Sequence, residues 1–179
     1  NNFSDSETNE LLHRATNAGV PVRMIVRSMF SLVIEEGSGC EAISIVDKYL
    51  EHSRMMIFEN AGDPAVFLSS ADFMPRNFDT RVETIFPVYE KKLRQQLLEY
   101  FHIQWSDNTK ARILDRDLEN RYRTSAGSGK GKKGKKTRAQ FDIETYLREK
   151  TERAARETGR QDIEIDTYRI FDGGANRPR

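Results

Sequence analysis

Apolar residues recur at helical spacing in four parts of the chain, and this pattern predicts four helices. In one of them Leu93, Leu97 and Phe101 fall on a single face. Gly19 follows the first of these stretches, at a position where glycine commonly ends a helix. The predicted helices cover residues 6–18, 89–104, 111–121 and 141–158.

Short runs of β-branched and aromatic residues predict the strands. The link over residues 60–64 contains Asn, Gly, Asp and Pro, a composition typical of a hairpin turn, so the runs on either side of it should pair. Residues 42–46 fit either a short strand or the start of a helical turn ending near Leu50. The predicted strands are 20–27, 54–59, 65–70 and 81–88. Helices mixed with strands predict an α/β fold.

The distribution of charge alters the predicted organisation only near the C-terminus. The net charge of the 179 residues is +1, but residues 121–138 contain eight Lys or Arg and no Asp or Glu. We therefore expect a domain over residues 1–123, a flexible basic linker over 124–137 and a partly frayed helical extension over 138–179. The run 129–136 nearly spells a nucleotide-binding P-loop, but Lys136 occupies the Ser/Thr position and no apolar strand precedes it.

Several classes of protein are disfavoured by composition. Cys40 is the single cysteine, so an intramolecular disulfide or a cysteine-built zinc site is excluded. No apolar run approaches the ~20 residues that cross a bilayer. A cytoplasmic location is expected, with peripheral membrane association left open. The chain begins with Asn1 and not with Met, which indicates a processed piece or a fragment of a longer protein.

His52 is the strongest candidate for chemistry. Arg54 lies two residues further on, and alternate residues of an extended strand point to the same side, so the imidazole and the guanidinium should face one space. Glu59 completes a relaxed version of the pattern His-x-Lys-x4-Asp. An imidazole can attack phosphorus or transfer a proton, and a neighbouring cation neutralises phosphate oxygens. His13 and His102 lack such neighbours and are expected to be structural.

A second element is the turn Ser69-Ser70-Ala71-Asp72, which ends the second strand of the hairpin. Its hydroxyl and backbone N–H groups could bind an anion. The pairing of this turn with His-x-Arg resembles a half-site of the phospholipase D superfamily.

Three more arginines each allow a structural and a functional interpretation. Arg27 follows a buried strand and either emerges into solvent or clamps phosphate. Arg76 and Arg81 could extend a basic channel for a polyanion, or could pair with Asp72, Asp79 or Glu83.

Longer stretches make the likeness more specific. Residues 45–54, 58–63 and 68–77 closely resemble the last domain of polyphosphate kinases, and residues 18–27 and 101–115 also fit. The resemblance extends over residues 1–123 and 137–147, although Ser28 and Phe73 replace the more usual Gly and Trp.

The resemblance implies a phospholipase D-like domain with a mixed β-sheet flanked by helices. It implies reversible transfer of the terminal phosphate of ATP to inorganic polyphosphate, with ATP/ADP and Mg²⁺ as cofactors. His52 would be the catalytic histidine of this domain. The expected phosphate-binding residues are Arg27, His52, Arg54, Ser69, Ser70 and Asp72. No protein metal ligand is expected.

The family's phosphorylated histidine lies in another domain, so this chain would hold half of an active site and would be inactive alone. Its expected partners are the remaining domains of the enzyme, nucleotide, polyphosphate and further copies in a homo-oligomer, but not nucleic acid. Two alternatives stay open: a homodimeric phosphodiesterase or nuclease that pairs two half-sites, and a non-catalytic polyanion-binding module.

Overall fold

The computed structural model describes residues 1–124 and 135–158, which form helices around two three-stranded sheets. The mixed α/β class is as predicted. Most of the basic linker, the P-loop-like run from residue 129 to 134 and the chain beyond 158 lie outside the described residues. The helices are α1 (Ser6–Asn17), α2 (Pro75–Asp79), α3 (Lys91–Trp105) and α4 (Ala139–Thr158). The strands are β1 (Val22–Ile25), β2 (Cys40–Ile45), β3 (Met55–Phe58), β4 (Ala65–Ser69), β5 (Ile85–Pro87) and β6 (Ala111–Ile113).

The first sheet has the order β1-β2-β6, with β1 parallel and β6 antiparallel to β2. Its central strand contributes the buried side chains of Ile43 and Ile45. These pack with Trp105 of α3 and with Ala139 of α4. The C-terminal helix is thus part of the same apolar core as the central strand. The alternative of a helical turn at residues 42–46 is wrong, because this segment pairs on both sides.

The second sheet is antiparallel and has the order β3-β4-β5. A short 3-10 turn at Asn60–Gly62 joins β3 to β4, as the composition of the link predicted. Asn60, Ala61 and Gly62 all have positive φ, which turns the chain back within a few residues. β5 is shorter than the run 81–88 that predicted it, since pairing with β4 extends only from Ile85 to Pro87.

The predicted helix over residues 111–121 is wrong. The segment Ala111–Ile113 is a strand that pairs antiparallel with β2, with Ala111 opposite Ile45. Leu118 and Asn120 then adopt positive φ, which ends any helical path. Tertiary pairing has overridden a helix-like spacing of apolar residues here.

A fully buried carboxylate joins β6 to α4. Oδ1 of Asp107 accepts hydrogen bonds from the backbone N–H groups of Thr109, Lys110 and Ala111, at 2.9, 2.6 and 2.9 Å. Its Oδ2 accepts from the backbone N–H of Ala139 at 2.7 Å. One side chain therefore satisfies the turn before β6 and the first N–H of α4.

Candidate active site

The β3–β4 hairpin brings the His52–Arg54 segment beside the serine turn. Because the strands are antiparallel, the start of β3 meets the end of β4, with Met55 opposite Leu68. One step further on, the backbone N–H of Ser69 donates to the carbonyl of Arg54 at 3.0 Å. The juxtaposition predicted from the two motifs therefore follows from the register of one hairpin.

An ion pair links the two motifs directly. Nε of Arg54 donates to Oδ1 of Asp72 at 2.7 Å, and Nδ2 of Asn2 donates to Oδ2 of Asp72 at 2.8 Å. Burial raises the pKa of Asp72, but the hydrogen bond and charge of Arg54, with the Asn2 bond, outweigh it and lower the pKa to about 2. Arg54 also donates from Nη1 to the carbonyl of His52 at 3.3 Å. Asp72 thus orients the Arg54 side chain, which in turn binds the backbone carbonyl of His52.

The imidazole of His52 is exposed. Within residues 1–124 and 135–158, no side chain or backbone group hydrogen-bonds to it. The imidazole is therefore accessible to a ligand. Glu59 follows the opposite end of β3 and is exposed, so an extended strand separates it from His52.

The first serine of the turn is used within the turn. The hydroxyl of Ser69 accepts a hydrogen bond from the backbone N–H of Ala71 at 2.9 Å. Such a bond fixes the turn that carries Asp72 toward Arg54. Ser69 therefore shapes the turn.

The second serine contacts a residue of the segment before β5. The hydroxyl of Ser70 donates to Oε2 of Glu83 and accepts from the backbone N–H of Thr84 at 3.0 Å. Oε1 of Glu83 accepts from Nδ2 of the buried Asn77 at 2.5 Å. The hydrogen bonds from Ser70 and Asn77 lower the pKa of Glu83. Glu83 thus joins the serine turn to α2 as a carboxylate.

Arg27 lies just past the end of β1 and is half-buried. Its Nε is buried, and no described residue accepts a hydrogen bond from it. The residue after Arg27 donates its backbone N–H to the carbonyl of Asn1 at 3.0 Å, and the side chain of Asn2 donates to Asp72. The N-terminal segment therefore joins the end of β1, where Arg27 lies, to the Arg54–Asp72 pair, and this brings the two arginines to the same side of the molecule.

Arg76 and Arg81 flank this group on α2 and on the segment before β5. Both are exposed, and neither forms an ion pair with any residue that the structure describes. Arg81 is near enough to Glu83 to add a small lowering of its pKa. Their guanidinium groups are thus open to solvent and to a polyanion.

Glu83 was missed by sequence reasoning as a member of the site and was considered only as a partner for an arginine. Asn2 and Asn77 were missed entirely. No sequence motif could have identified these residues. Their contacts with the serine turn depend on the pairing of β4 with β5 and on the position of the N-terminal segment. His13 and His102 lie on helices α1 and α3.

The described residues contain no group of three or more His, Cys, Asp or Glu side chains placed to hold a metal ion. Both oxygens of Asp72, and both of Glu83, already accept hydrogen bonds. No helix among the described residues is long and apolar enough to cross a membrane.

Comparison with known proteins gives a consistent result. Residues 1–135 match the family model described as polyphosphate kinase C-terminal domain 2. Polyphosphate kinases of Klebsiella pneumoniae and of Escherichia coli strain K12 are each 44% identical over 151 residues, which is 83% of this chain. The polyphosphate kinase of Vibrio cholerae is 38% identical over 165 residues, or 90% of this chain.

A solved structure agrees. The crystal structure of polyphosphate kinase from Porphyromonas gingivalis matches with a TM-score of 0.78 and 38% identity, over 85% of this chain and 23% of that one. The chain spans only 21% of the Klebsiella and Escherichia relatives. The predicted phospholipase D-like α/β fold class is confirmed, and the chain belongs to the polyphosphate kinase C-terminal domain 2 family.

Proposed function

We propose that this chain is the C-terminal catalytic part of a polyphosphate kinase, which reversibly transfers the terminal phosphate of ATP to inorganic polyphosphate. The observation that carries the proposal is the exposed His52 imidazole, whose backbone the Arg54–Asp72 pair holds on the same side of the domain as Arg27. The family match of residues 1–135 supports it.

In this proposal each residue has a role set by its contacts. Arg27 has a buried Nε with no hydrogen-bond acceptor among the described residues, and it binds phosphate oxygens of the nucleotide. His52 contacts a phosphate oxygen and holds or releases a proton there. Arg54 contributes positive charge, but its Nε is bound to Asp72, so much of its role is to orient the backbone at His52. Phosphoryl transfer depends mainly on such positioning and on charge neutralisation.

The serine turn supports this arrangement. Ser69 shapes the turn, Ser70 is held by Glu83, and Asp72 orients Arg54. Arg76 and Arg81 form the proposed channel for polyphosphate, because both are exposed cations without ion-pair partners in the described parts of the chain. A phosphate chain passing them would replace the solvent around two guanidinium groups.

ATP and ADP are the proposed nucleotides. Magnesium is the expected companion of ATP, but the two carboxylates at the serine turn do not fit it, because all four oxygens of Asp72 and Glu83 already accept hydrogen bonds from the protein. We therefore assign no magnesium ligand to these residues and derive no step through the ion.

The proposal includes the setting of the domain. The remaining domains of the enzyme supply the phosphorylated histidine and the other half of the site, within a cytoplasmic homo-oligomer. Residues 1–123 form the catalytic domain, and after the basic linker helix α4 packs against the central strand of that domain.

The test is His52→Ala in a full-length polyphosphate kinase that carries this chain as its C-terminal domain. We expect loss of acid-insoluble polyphosphate made from γ-labelled ATP, because a donor to the transferring phosphoryl group is removed. His102→Ala, an exposed histidine on α3, is the matched control and should retain synthesis. Near-normal synthesis by His52→Ala would overturn the role. Hydrolysis of a phosphodiester by the 179-residue chain alone would favour the phosphodiesterase alternative.

A further inference from the structure

The segment that carries His52 has no regular secondary structure, yet one side of it is held by the protein. This His52 segment runs from Asp47 to Arg54, between β2 and β3. Exposure alternates along it, so one side is anchored and the other presents His52 outward. The half-buried positions are Asp47, Tyr49 and Glu51, and the exposed positions are Lys48, Leu50 and His52.

Gln140, in the first turn of α4, holds the middle of the segment. Its Oε1 accepts from the backbone N–H of Tyr49 at 2.8 Å, and its Nε2 donates to the Tyr49 carbonyl at 2.7 Å. Nε2 also donates to Oε1 of Glu51 at 3.0 Å. Gln140 is 7% exposed, so these bonds are shielded from water. One buried amide therefore pairs with the backbone of the His52 segment as a neighbouring strand would.

Glu51 extends this contact to helix α3. Its Oε2 accepts from the hydroxyl of Tyr100 at 3.0 Å, and that hydroxyl accepts from Nε2 of Gln104 at 3.2 Å. Burial raises the pKa of Tyr100 to about 12, and Glu51 adds to the rise. Tyr100 is therefore a permanent donor at neutral pH. The carboxylate just before His52 is held between two helices.

The start of the segment is held as well. Arg138 donates from Nε and Nη2 to the two oxygens of Asp47, at 2.7 and 2.6 Å. Bidentate pairs of this kind fix both position and orientation. Arg138 immediately precedes α4 and Gln140 lies in its first turn, so the start of the C-terminal helix holds the segment at two points.

We propose that Gln140 and Glu51 are positioning residues for His52, through which helix α4 sets the place of the imidazole relative to the transferring phosphate. The inference rests on the proposed function of His52. The physical basis is that a displacement of about 1 Å at a reacting group can cost about 100-fold in rate. Without Gln140 and Glu51, the contacts nearest to His52 would be those on its C-terminal side, where Arg54 donates to the His52 carbonyl and the Ser53 hydroxyl contacts Tyr100.

The test uses the full-length enzyme with Gln140→Met, which keeps side-chain length but removes all three hydrogen bonds. We expect kcat for polyphosphate synthesis to fall about 10-fold or more, with KM for ATP within twofold, since Arg27 is untouched. Amide hydrogen exchange in residues 47–54 should accelerate. Gln95→Met, at an exposed glutamine on α3, is the matched control and should change none of these values.

Tyr100→Phe is the second variant, because it removes only the hydroxyl that donates to Glu51 and that also contacts Gln104 and Ser53. We expect a smaller fall in kcat, about threefold, again without a change in KM. If Gln140→Met does not fold, the fall in kcat of Tyr100→Phe at unchanged KM tests the positioning role. Folded variants that keep kcat within twofold, while His52→Ala is inactive, would overturn the positioning role alone. An active His52→Ala would instead overturn the proposed function.

Discussion

Nε of Arg54 lies 2.7 Å from Oδ1 of Asp72, and this contact joins two motifs that are 18 residues apart in the chain. Arg54 also donates to the carbonyl of His52, while Asn2 occupies the other oxygen of Asp72. The pair therefore positions His52 as well as supplying charge. An arginine predicted to contact phosphate directly is also an element of the scaffold.

The Arg54–Asp72 pair predicts a pH-dependent contribution to stability. The pKa of Asp72 is lowered to about 2 in the folded chain, below its ordinary value of 3.8. The carboxylate therefore stabilises the fold fully above pH 5 and loses this contribution as the pH falls through about 2. We expect a contribution of about 2 kcal/mol to the free energy of unfolding.

Urea unfolding of the chain, followed by the fluorescence of its single tryptophan, Trp105, measures this effect. The difference in unfolding free energy between wild type and Asp72→Asn should shrink by more than half from pH 5 to pH 2.5. A difference that is independent of pH would contradict the lowered pKa of Asp72.

Arg27→Lys should impair use of the nucleotide. Lysine keeps the charge but cannot reproduce the planar, two-pronged donation of a guanidinium to phosphate oxygens. We expect kcat/KM for ATP to fall at least 10-fold in the full-length enzyme. Arg23→Lys, at an exposed arginine of β1, is the control. Equal effects of the two changes would argue against a phosphate role for Arg27.

Arg81→Gln should weaken polyphosphate binding in a manner that depends on salt. Arg81 is exposed and unpaired within the described residues, so its contribution should be electrostatic and screened by ions. We expect the Kd for long-chain polyphosphate to rise about 3- to 10-fold at low salt, and less at 0.5 M salt. Arg153→Gln, in an exposed ion pair on α4, should have little effect. A loss that does not change with salt would point to a folding defect.

Asp107→Asn should destabilise the chain by about 3 kcal/mol. An amide can still accept from the N–H groups of Thr109, Lys110 and Ala111, but its NH₂ would then face the N–H of Ala139. Urea unfolding followed by Trp105 fluorescence measures the loss. Asp79→Asn, at an exposed aspartate of α2, is the control and should stay within about 0.5 kcal/mol of wild type.

Local patterns determined much of this protein. The β3–β4 hairpin, helices α1, α3 and α4, and the adjacency of His52–Arg54 to the serine turn could all be predicted from the sequence. The reason is that each depends on residues close in the chain: a turn composition, a helical period, and a two-residue alternation. The resemblance of longer stretches to polyphosphate kinases added the family, which the comparisons confirm.

Only the tertiary structure decided the remaining features. Residues 111–113 are a strand because β2 offers hydrogen bonds that a local period cannot reveal. Glu83 and Asn2 reach the site, and Gln140 reaches the His52 segment, through contacts between distant parts of the chain. The sequence by itself thus determined which groups could handle phosphate. Long-range pairing and burial decided which groups hold them in place, because contacts between distant parts of the chain correspond to no recognisable sequence pattern.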